Sequence, residues 1–284
     1  MSCISPYFAQ HKGEWLPHPC GRCPPCKRRR IDGWVFRMLQ EEKNYSSPGR
    51  FITLTYDTDH VPISPHGFMT LDKSAFPNFM KRLRKLAPGV KMRYYASGEY
   101  GDERRRPHYH AIVFGCPDDN LFHTAWALGG VSFGRVDVDQ VTGRSIAYTV
   151  GYINKSDWQK IHSRDDRVPE FSLMSKGLGA NYVTPAIVAY HKADLSRNYL
   201  SKPGGDRIAM PRYYRERIFD EDERTVQQGL SQIASGVTNS AKYAEFLKLY
   251  GHIDGYSYDR YLESEKLGTV SSFYSNQKPR NYDG

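Results

Sequence analysis

The sequence predicts an α+β fold: a central antiparallel sheet with helices gathered on one face. Two observations carry that expectation. Runs rich in β-branched and aromatic residues alternate with amphipathic runs in the order strand, helix, strand, strand, helix, strand, helix. Two of the strand runs are joined only by "GDERRR" (101–106), far too short for a helical crossover. No internal repeat and no long low-complexity tract interrupts the pattern.

The elements follow in order. Residues 1–26 are rich in Cys, Pro and Gly and read as irregular. "KRRRIDGWVFRMLQEEKN" (27–44) reads as a helix with Ile31, Trp34, Val35, Met38 and Leu39 as its apolar stripe. "RFITLTYD" (50–57) has strand composition. "DKSAFPNFMKRLRKLA" (72–87) is a basic amphipathic helix capped by Asp72 or Ser74, with Pro77 tolerated only near the first turn. "VKMRYYASGEY" (90–100) and "PHYHAIVFG" (107–115) form a strand pair around the 101–106 loop. "DDNLFHTAWAL" (118–128) reads as a short helix, and "GVSFGRVDV" (130–138) as a further strand. "GRSIAYTVGYINK" (143–155) reads as a helix despite Gly151, which costs about 1 kcal/mol relative to Ala. Residues 156–205 look like loops with short elements, and 206–284 like a charged, Tyr-rich extension with one helix at "SAKYAEFLKLYG". The expected organisation is a Cys-rich segment with its helix (1–45), a main domain (46–205) and the extension (206–284).

Bulk composition narrows the function. The 284 residues are 39% hydrophobic, and no apolar run reaches the roughly 20 residues a membrane span needs. The first residues lack a signal peptide's apolar core, so the expectation is an intracellular, soluble chain. A net charge of +9 favours a polyanionic partner. The charge is clustered at "KRRR" (27–30), "KRLRK" (81–85) and "RRR" (104–106), in a chain with 21 tyrosines. Arginines and lysines hold phosphates and aromatic rings stack on bases, so Lys81, Arg82, Arg104, Arg105, Arg106 and Tyr56 are candidate nucleic-acid contacts.

Within "RPHYHAIVFG", His108 and His110 stand at i and i+2 and share one strand face, with Tyr109 turned to the other. Alone, such a pair reads equally well as two half-buried histidines. Simple pairing across the loop sets Glu99 opposite His108, which adds a carboxylate to the two imidazoles, provided the register does not slip by one residue. Two nitrogens and an oxygen with open positions suit Mg²⁺ or Mn²⁺ acting on a phosphate, with Zn²⁺ a further option. In "YTVGYINK", Tyr148, Tyr152 and Lys155 fall on one helical face. A packing stripe would not end in a lysine. A tyrosine is a poor nucleophile at neutral pH unless a cation polarises its target, and a lysine can neutralise charge that develops in the transition state.

"FITLTYD", "GEYG…RPHYHAIVFG" and "YTVGYINK" resemble the three motifs of the HUH-superfamily rolling-circle replication initiators. The two-tyrosine form, with "PCGRCPPC" before it, is similar to the initiators of microviruses, gokushoviruses in particular, over about residues 3–180. Relatives often carry a basic residue before the second tyrosine, where this chain has Gly151. The resemblance implies an HUH endonuclease fold (ferredoxin- or RRM-like) with the metal on His108, His110 and Glu99. It also implies tyrosine attack on single-stranded origin DNA, a 5′-phosphotyrosine intermediate, and a 3′-OH extended by the host's replication machinery in the bacterial cytoplasm. A second tyrosine then closes the circle. A non-catalytic nucleic-acid-binding module is the competing reading, but it leaves Tyr148, Tyr152 and Lys155 without a role.

Five cysteines, an odd number in a chain expected to be intracellular, argue against a disulfide framework. Cys20, Cys23 and Cys26 form C-x₂-C-x₂-C, and Cys3 could complete a four-thiolate Zn²⁺ site. The spacing also fits an iron–sulfur cluster, or free thiols in a loop. Cys116 is a spare thiol at a strand end.

Overall fold

Strand pairing organises the larger part of the chain. In the computed structural model, residues 3–11, 13–151, 162–202 and 205–275 are described. They divide into two units, residues 34–182 and residues 1–33 with 183–284. The elements in chain order are β1 (Tyr7–His11), β2 (Glu14–His18), α1 (Pro24–Glu42), β3 (Arg50–Thr55), α2 (Ala75–Leu86), β4 (Arg93–Tyr100), β5 (Pro107–Phe114) and α3 (Asn120–Ala125). After them come β6 (Ala127–Leu128), β7 (Val131–Ser132), β8 (Val136–Gln140), α4 (Gly143–Gly151), β9 (Phe171–Met174) and α5 (Pro185–Lys192). The chain continues with β10 (Tyr199–Ser201), β11 (Arg207–Ala209), α6 (Arg212–Ile218), α7 (Glu221–Tyr250) and α8 (Tyr258–Ser275).

In the larger unit the sheet has the order β8-β3-β5-β4-β9, every neighbour antiparallel. The α+β class and the antiparallel sheet agree with the sequence expectation. The helices, however, are not gathered on one face. Phe76 and Phe79 of α2 and Phe122 of α3 pack with Ile52, Leu54, Tyr109, Ala111 and Val113 on one side. On the other side, Trp34 of α1 meets Tyr95 at 5.0 Å between ring centroids, and Tyr148 of α4 meets His110 at 5.5 Å. Helical periodicity shows which side of a helix is apolar, but not which face of a sheet receives it. The usable signal lay in the strands. Consecutive residues Tyr109 to Phe114 are all buried, as in a strand covered on both sides.

Local chemistry explains the boundaries. α1 begins three residues before its expected start, because two prolines suit a first turn whose N–H groups need no helical partner. The expected strand at 130–138 is two strands, β7 and β8, broken at Gly134. There φ is +144°, and an added Cβ would fall on the backbone of Thr55 and Tyr56.

The second unit holds the β1–β2 and β10–β11 hairpins and the C-terminal helices. One helix was expected after residue 206, and three are present. The missed signal is "DEDE" at 220–223. Asp220 accepts from Glu223 N at 3.0 Å while Glu223 Oε2 accepts from Asp220 N at 2.9 Å, a capping box that starts the 30-residue α7. The tyrosines of this region pack together. Phe246 of α7 lies within 5.3–6.4 Å of the rings of Tyr243, Tyr250, Tyr256, Tyr258 and Tyr261. Among the described residues no helix is long and apolar enough to cross a membrane.

Gly134→Ala should destabilise the chain by more than about 1 kcal/mol, since it adds both φ strain and a backbone clash. Urea unfolding measures this, and an unchanged midpoint would mean that the β7–β8 link reshapes freely.

Candidate functional site

The register across the 101–106 loop is the one that simple pairing gives. Glu99 lies opposite His108, Ser97 opposite His110, and Tyr100 opposite Pro107. Alternation then sends Glu99, His108 and His110 to the α4 side of the sheet. Glu99 Oε1 is 2.7 Å from His110 Nε2 and 3.2 Å from His108 Nε2. Neither approach has the direction of an N–H···O bond, so Oε1 is a buried oxygen without a hydrogen-bond donor. Three donor atoms that converge in this way match the ligand set of a divalent cation.

The outer nitrogens are held separately. The Arg106 carbonyl lies 3.1 Å from His108 Nδ1, and a carbonyl can only accept, so Nδ1 carries the proton and Nε2 turns its lone pair inward. Thr53 Oγ1 lies 2.9 Å from His110 Nδ1, and Phe51 stacks on the His110 ring at 5.5 Å. Both residues come from β3, which pairs with β5 on its other edge. Glu170 adds negative charge near His108 and accepts from Tyr100 N at 3.1 Å. Thr53 and Glu170 are site neighbours that sequence reading missed. Alternation sends Thr53 to the face of Phe51, but nothing in the run "FITLTYD" says which strand lies beside it.

Burial opposes ionisation of Glu99, yet the two imidazoles outweigh it and hold the carboxyl below its ordinary range. Burial likewise opposes charge on His108, and contact with Glu99 overcomes it and raises its pKa. Without a cation, a proton on His108 Nε2 takes the position facing the carboxylate. Cation and proton therefore compete for one lone pair.

Tyr148 stands over this cluster, its ring edge-on to His110 and 49% exposed. The buried pair Ile146 and Val150 anchors α4 to the sheet and leaves Tyr148 at the solvent boundary. Tyr152 and Lys155 lie outside the described residues.

The candidate nucleic-acid contacts separate. Arg104 and Arg105 are exposed on the loop between the strand ends that carry Glu99 and His108. Arg106 instead donates to Tyr56 O at 2.8 Å and Thr58 Oγ1 at 3.2 Å, bracing the start of β5. Three expectations need correction. Tyr56 is buried against Tyr109 and Trp126, so no base can stack on it. Arg82 donates to Ala125 O at 2.6 Å and lies over Phe133, which ties α2 to the α3 region. Lys81 is exposed, but on α2, across the sheet from the histidines. Charge counting found the basic runs but could not tell which side of the sheet each one occupies.

In the other unit the four cysteine sulfurs also converge, all within 4.8 Å of one another. Cys3 Sγ is 3.7 Å from Cys23 Sγ. The N–H groups of Arg22 and Cys23 donate to Cys20 Sγ at 3.4 and 3.3 Å, which lowers its pKa to about 6. Cys20 N donates to Cys3 Sγ at 3.3 Å. Amide donors aimed at sulfur stabilise thiolates, the form that binds a metal. Burial pushes the Cys26 thiol up to about 12, so in the absence of a cation that sulfur keeps its proton. Cys116 lies apart, donating to Asp118 O at 3.3 Å.

Residues 49–157 match the family of the replication-associated protein ORF2, a span that contains all three site residues and both tyrosines. The chain is 29% identical to Replication-associated protein ORF2 of Spiroplasma virus 4, over 89% of this chain and 82% of that one. The chain is a relative of the phage replication-associated proteins. It is also 26% identical to Replication-associated protein ORF4 of Chlamydia phage 1, over 87% of this chain. To Replication-associated protein VP4 of Bdellovibrio phage phiMH2K it is 28% identical over 70% of this chain. The matches span just under two thirds of those two proteins, 65% and 66%. No solved structure matches.

The opposed shifts give the metal-free protein a stability window. His108 has a raised pKa, so its contribution is full below its ordinary 6.5 and is lost as pH rises through the folded value. Glu99 has a lowered pKa, so its contribution is full above its ordinary 4.5 and is lost as pH falls through the folded value. With chelator present, thermal stability should therefore peak between these limits and decline on the alkaline side. Glu99→Gln should flatten that decline; an identical pH profile would show that the pair does not carry it.

Proposed function

We propose that the chain is a replication initiator that nicks single-stranded origin DNA at Glu99, His108 and His110 and rejoins it by tyrosine chemistry. One observation carries the reading: an exposed tyrosine, Tyr148, stands edge-on to a histidine whose Nε2 converges with a second imidazole and an otherwise unsatisfied carboxylate oxygen. A Mg²⁺ or Mn²⁺ ion bound by these three side chains would supply Lewis-acid polarisation of a phosphodiester. The residues fit such an ion, because each donor is oriented from behind and the carboxylate is ionised.

The protein's own groups do the rest. Thr53 and the Arg106 carbonyl hold the imidazoles in place. Arg104 and Arg105 line the open end of the strand pair and bind phosphates. The Tyr148 hydroxyl attacks phosphorus, the P–O3′ bond breaks, and the phenolic proton is balanced by the one gained at the departing 3′-OH. The strand is then held as a 5′-phosphotyrosine ester, and the host's polymerase extends the 3′-OH in the cytoplasm. Tyr152 repeats the attack on the regenerated origin, and the new 3′-OH reverses the first ester to close a circle. Lys155 neutralises charge that develops at phosphorus. This chemistry belongs to the domain spanning 46–205. At the other unit, Cys3, Cys20, Cys23 and Cys26 hold a structural Zn²⁺, since four thiolates with amide donors form a closed site and nothing in the proposed reaction needs an iron–sulfur centre.

Incubation with labelled single-stranded origin DNA and Mn²⁺ should give a protein–DNA adduct that survives SDS. His108→Ala/His110→Ala should abolish the adduct while DNA binding stays largely intact. Thr53→Val, which keeps the shape of the side chain, should weaken Mn²⁺ binding roughly 10- to 100-fold. Tyr148→Phe and Tyr152→Phe should each retain some nicking but release no circles, and the double variant should form no adduct. Phe keeps the ring, so a lost activity cannot be assigned to a cavity. Binding without an adduct on any origin-containing strand would leave a non-catalytic binding module.

A further inference from the structure

The N-terminal hairpin displays its aromatic residues outward. β1 and β2 pair with Phe8 opposite Pro17 and Gln10 opposite Trp15, so these four share one face. All four are exposed, Phe8 at 61% and Trp15 at 66%. The opposite face carries Ala9, Leu16 and His18, which are partly covered, with Tyr7 stacked on His18 at 5.6 Å. Single exposed hydrophobic residues need no explanation, but neighbouring aromatic rings on one open strand-pair face form a platform.

The cysteine cluster is built to hold that platform. Cys3 precedes β1, Cys20 follows β2, and Cys23 and Cys26 begin α1. An isolated two-stranded hairpin is marginal in water, and four converging sulfurs join both its ends to the helix start. The surroundings are basic. Arg22, Arg28, Arg29 and Arg30 are exposed, and Arg30 is tied back to the cysteine loop through Gly21 O at 3.3 Å.

We propose that the Phe8–Trp15 face, stapled by a metal at the four cysteines, is a second binding surface for single-stranded DNA. Bases stack on the two rings while Arg22 and Arg29 hold phosphates. The choice of nucleic acid over a protein partner follows from the arginines beside the rings. That the strand is DNA rests on the function proposed above. The nicking residues cut, and this surface retains the strand.

The test uses the full chain with its native metal and no added Mg²⁺ or Mn²⁺, so that no cleavage intervenes. Anisotropy of a labelled oligodeoxythymidine reports Kd. Phe8→Ala/Trp15→Ala should weaken binding about tenfold or more, whereas Phe8→Tyr/Trp15→Phe should stay within about twofold. Zinc content should equal wild type in both, which checks that the hairpin is intact. Should the alanine variant lose its zinc, Arg22→Ser/Arg29→Ser provides the second arm. It should lower the slope of log K against log salt by about two, one per phosphate contact. Unchanged Kd in a zinc-replete alanine variant, or an unchanged slope in the arginine variant, overturns the proposal. So does loss of self-association, by light scattering, with DNA binding intact, because the face would then belong to a second copy. Adduct formation is scored separately with Mn²⁺. No adduct with aromatic-dependent binding defeats the nicking function and leaves this surface standing, and the reverse result defeats only this surface.

Discussion

The pairing register of β4 with β5 is the constraint on which the rest depends, and it is fixed from the back of the sheet. Tyr109 is fully buried between the two histidines in sequence, but on the opposite face. Its hydroxyl donates to Asp72 O at 2.7 Å and accepts from Asp72 N at 3.1 Å, just before α2. Its ring packs near Phe76, Trp126 and Phe171. A one-residue slip would drive imidazoles into this apolar layer and expose a tyrosine with a lost hydrogen-bond pair. Core packing on one face thus enforces the spacing of Glu99, His108 and His110 on the other. The loop agrees with it: Gly101 N donates to Arg106 O, and Arg105 takes the left-handed region at φ +51° to close the turn.

Burial then sets the character of the site. A carboxylate as deeply placed as Glu99 would be neutral without positive charge nearby. The side chains facing it are two imidazoles, so its ionisation depends on them and theirs on it. Such a cluster is costly as bare protein and is relieved by a cation, which explains why one oxygen is left without a donor. Thr53 and the Arg106 carbonyl fix the imidazoles from the backbone framework, and little has to rearrange when an ion binds.

What the sequence made legible was whatever period and loop length determine. Strand alternation put His108 and His110 together, and a six-residue loop put Glu99 opposite them. The four cysteines converged as their spacing suggested. What it hid was the third dimension. Nothing local in "KRLRK" shows that α2 covers the face away from the histidines, and nothing in Tyr56 distinguishes a stacking ring from a core ring. The tyrosine-rich end read as a loose extension because no strict apolar stripe marks it. Its rings instead pack around Phe246 at the turn between α7 and α8, a tertiary arrangement invisible to a helical window. The capping box at Asp220 was readable and would have located α7.

Exposure is graded across the site, and the gradient has a chemical sense. Glu99 and His110 are buried, His108 is half-buried, and Tyr148 is half-exposed above them. A nucleophile must meet a large polyanion arriving from solvent, so it cannot lie in the core. The groups that position a cation must be rigid and shielded, so they cannot lie on the surface. α4 reconciles the two demands. Ile146 and Val150 are fully buried and Thr149 bonds back to Ser145 O at 2.8 Å, which seats the helix on the sheet. Tyr148, two residues from each anchor, is turned toward the His110 ring and the solvent edge. The open approach is therefore on the His108 side, beside the 101–106 loop with its exposed Arg104 and Arg105. A strand entering there meets phosphate-binding arginines first, the ligand cluster next, and the tyrosine last.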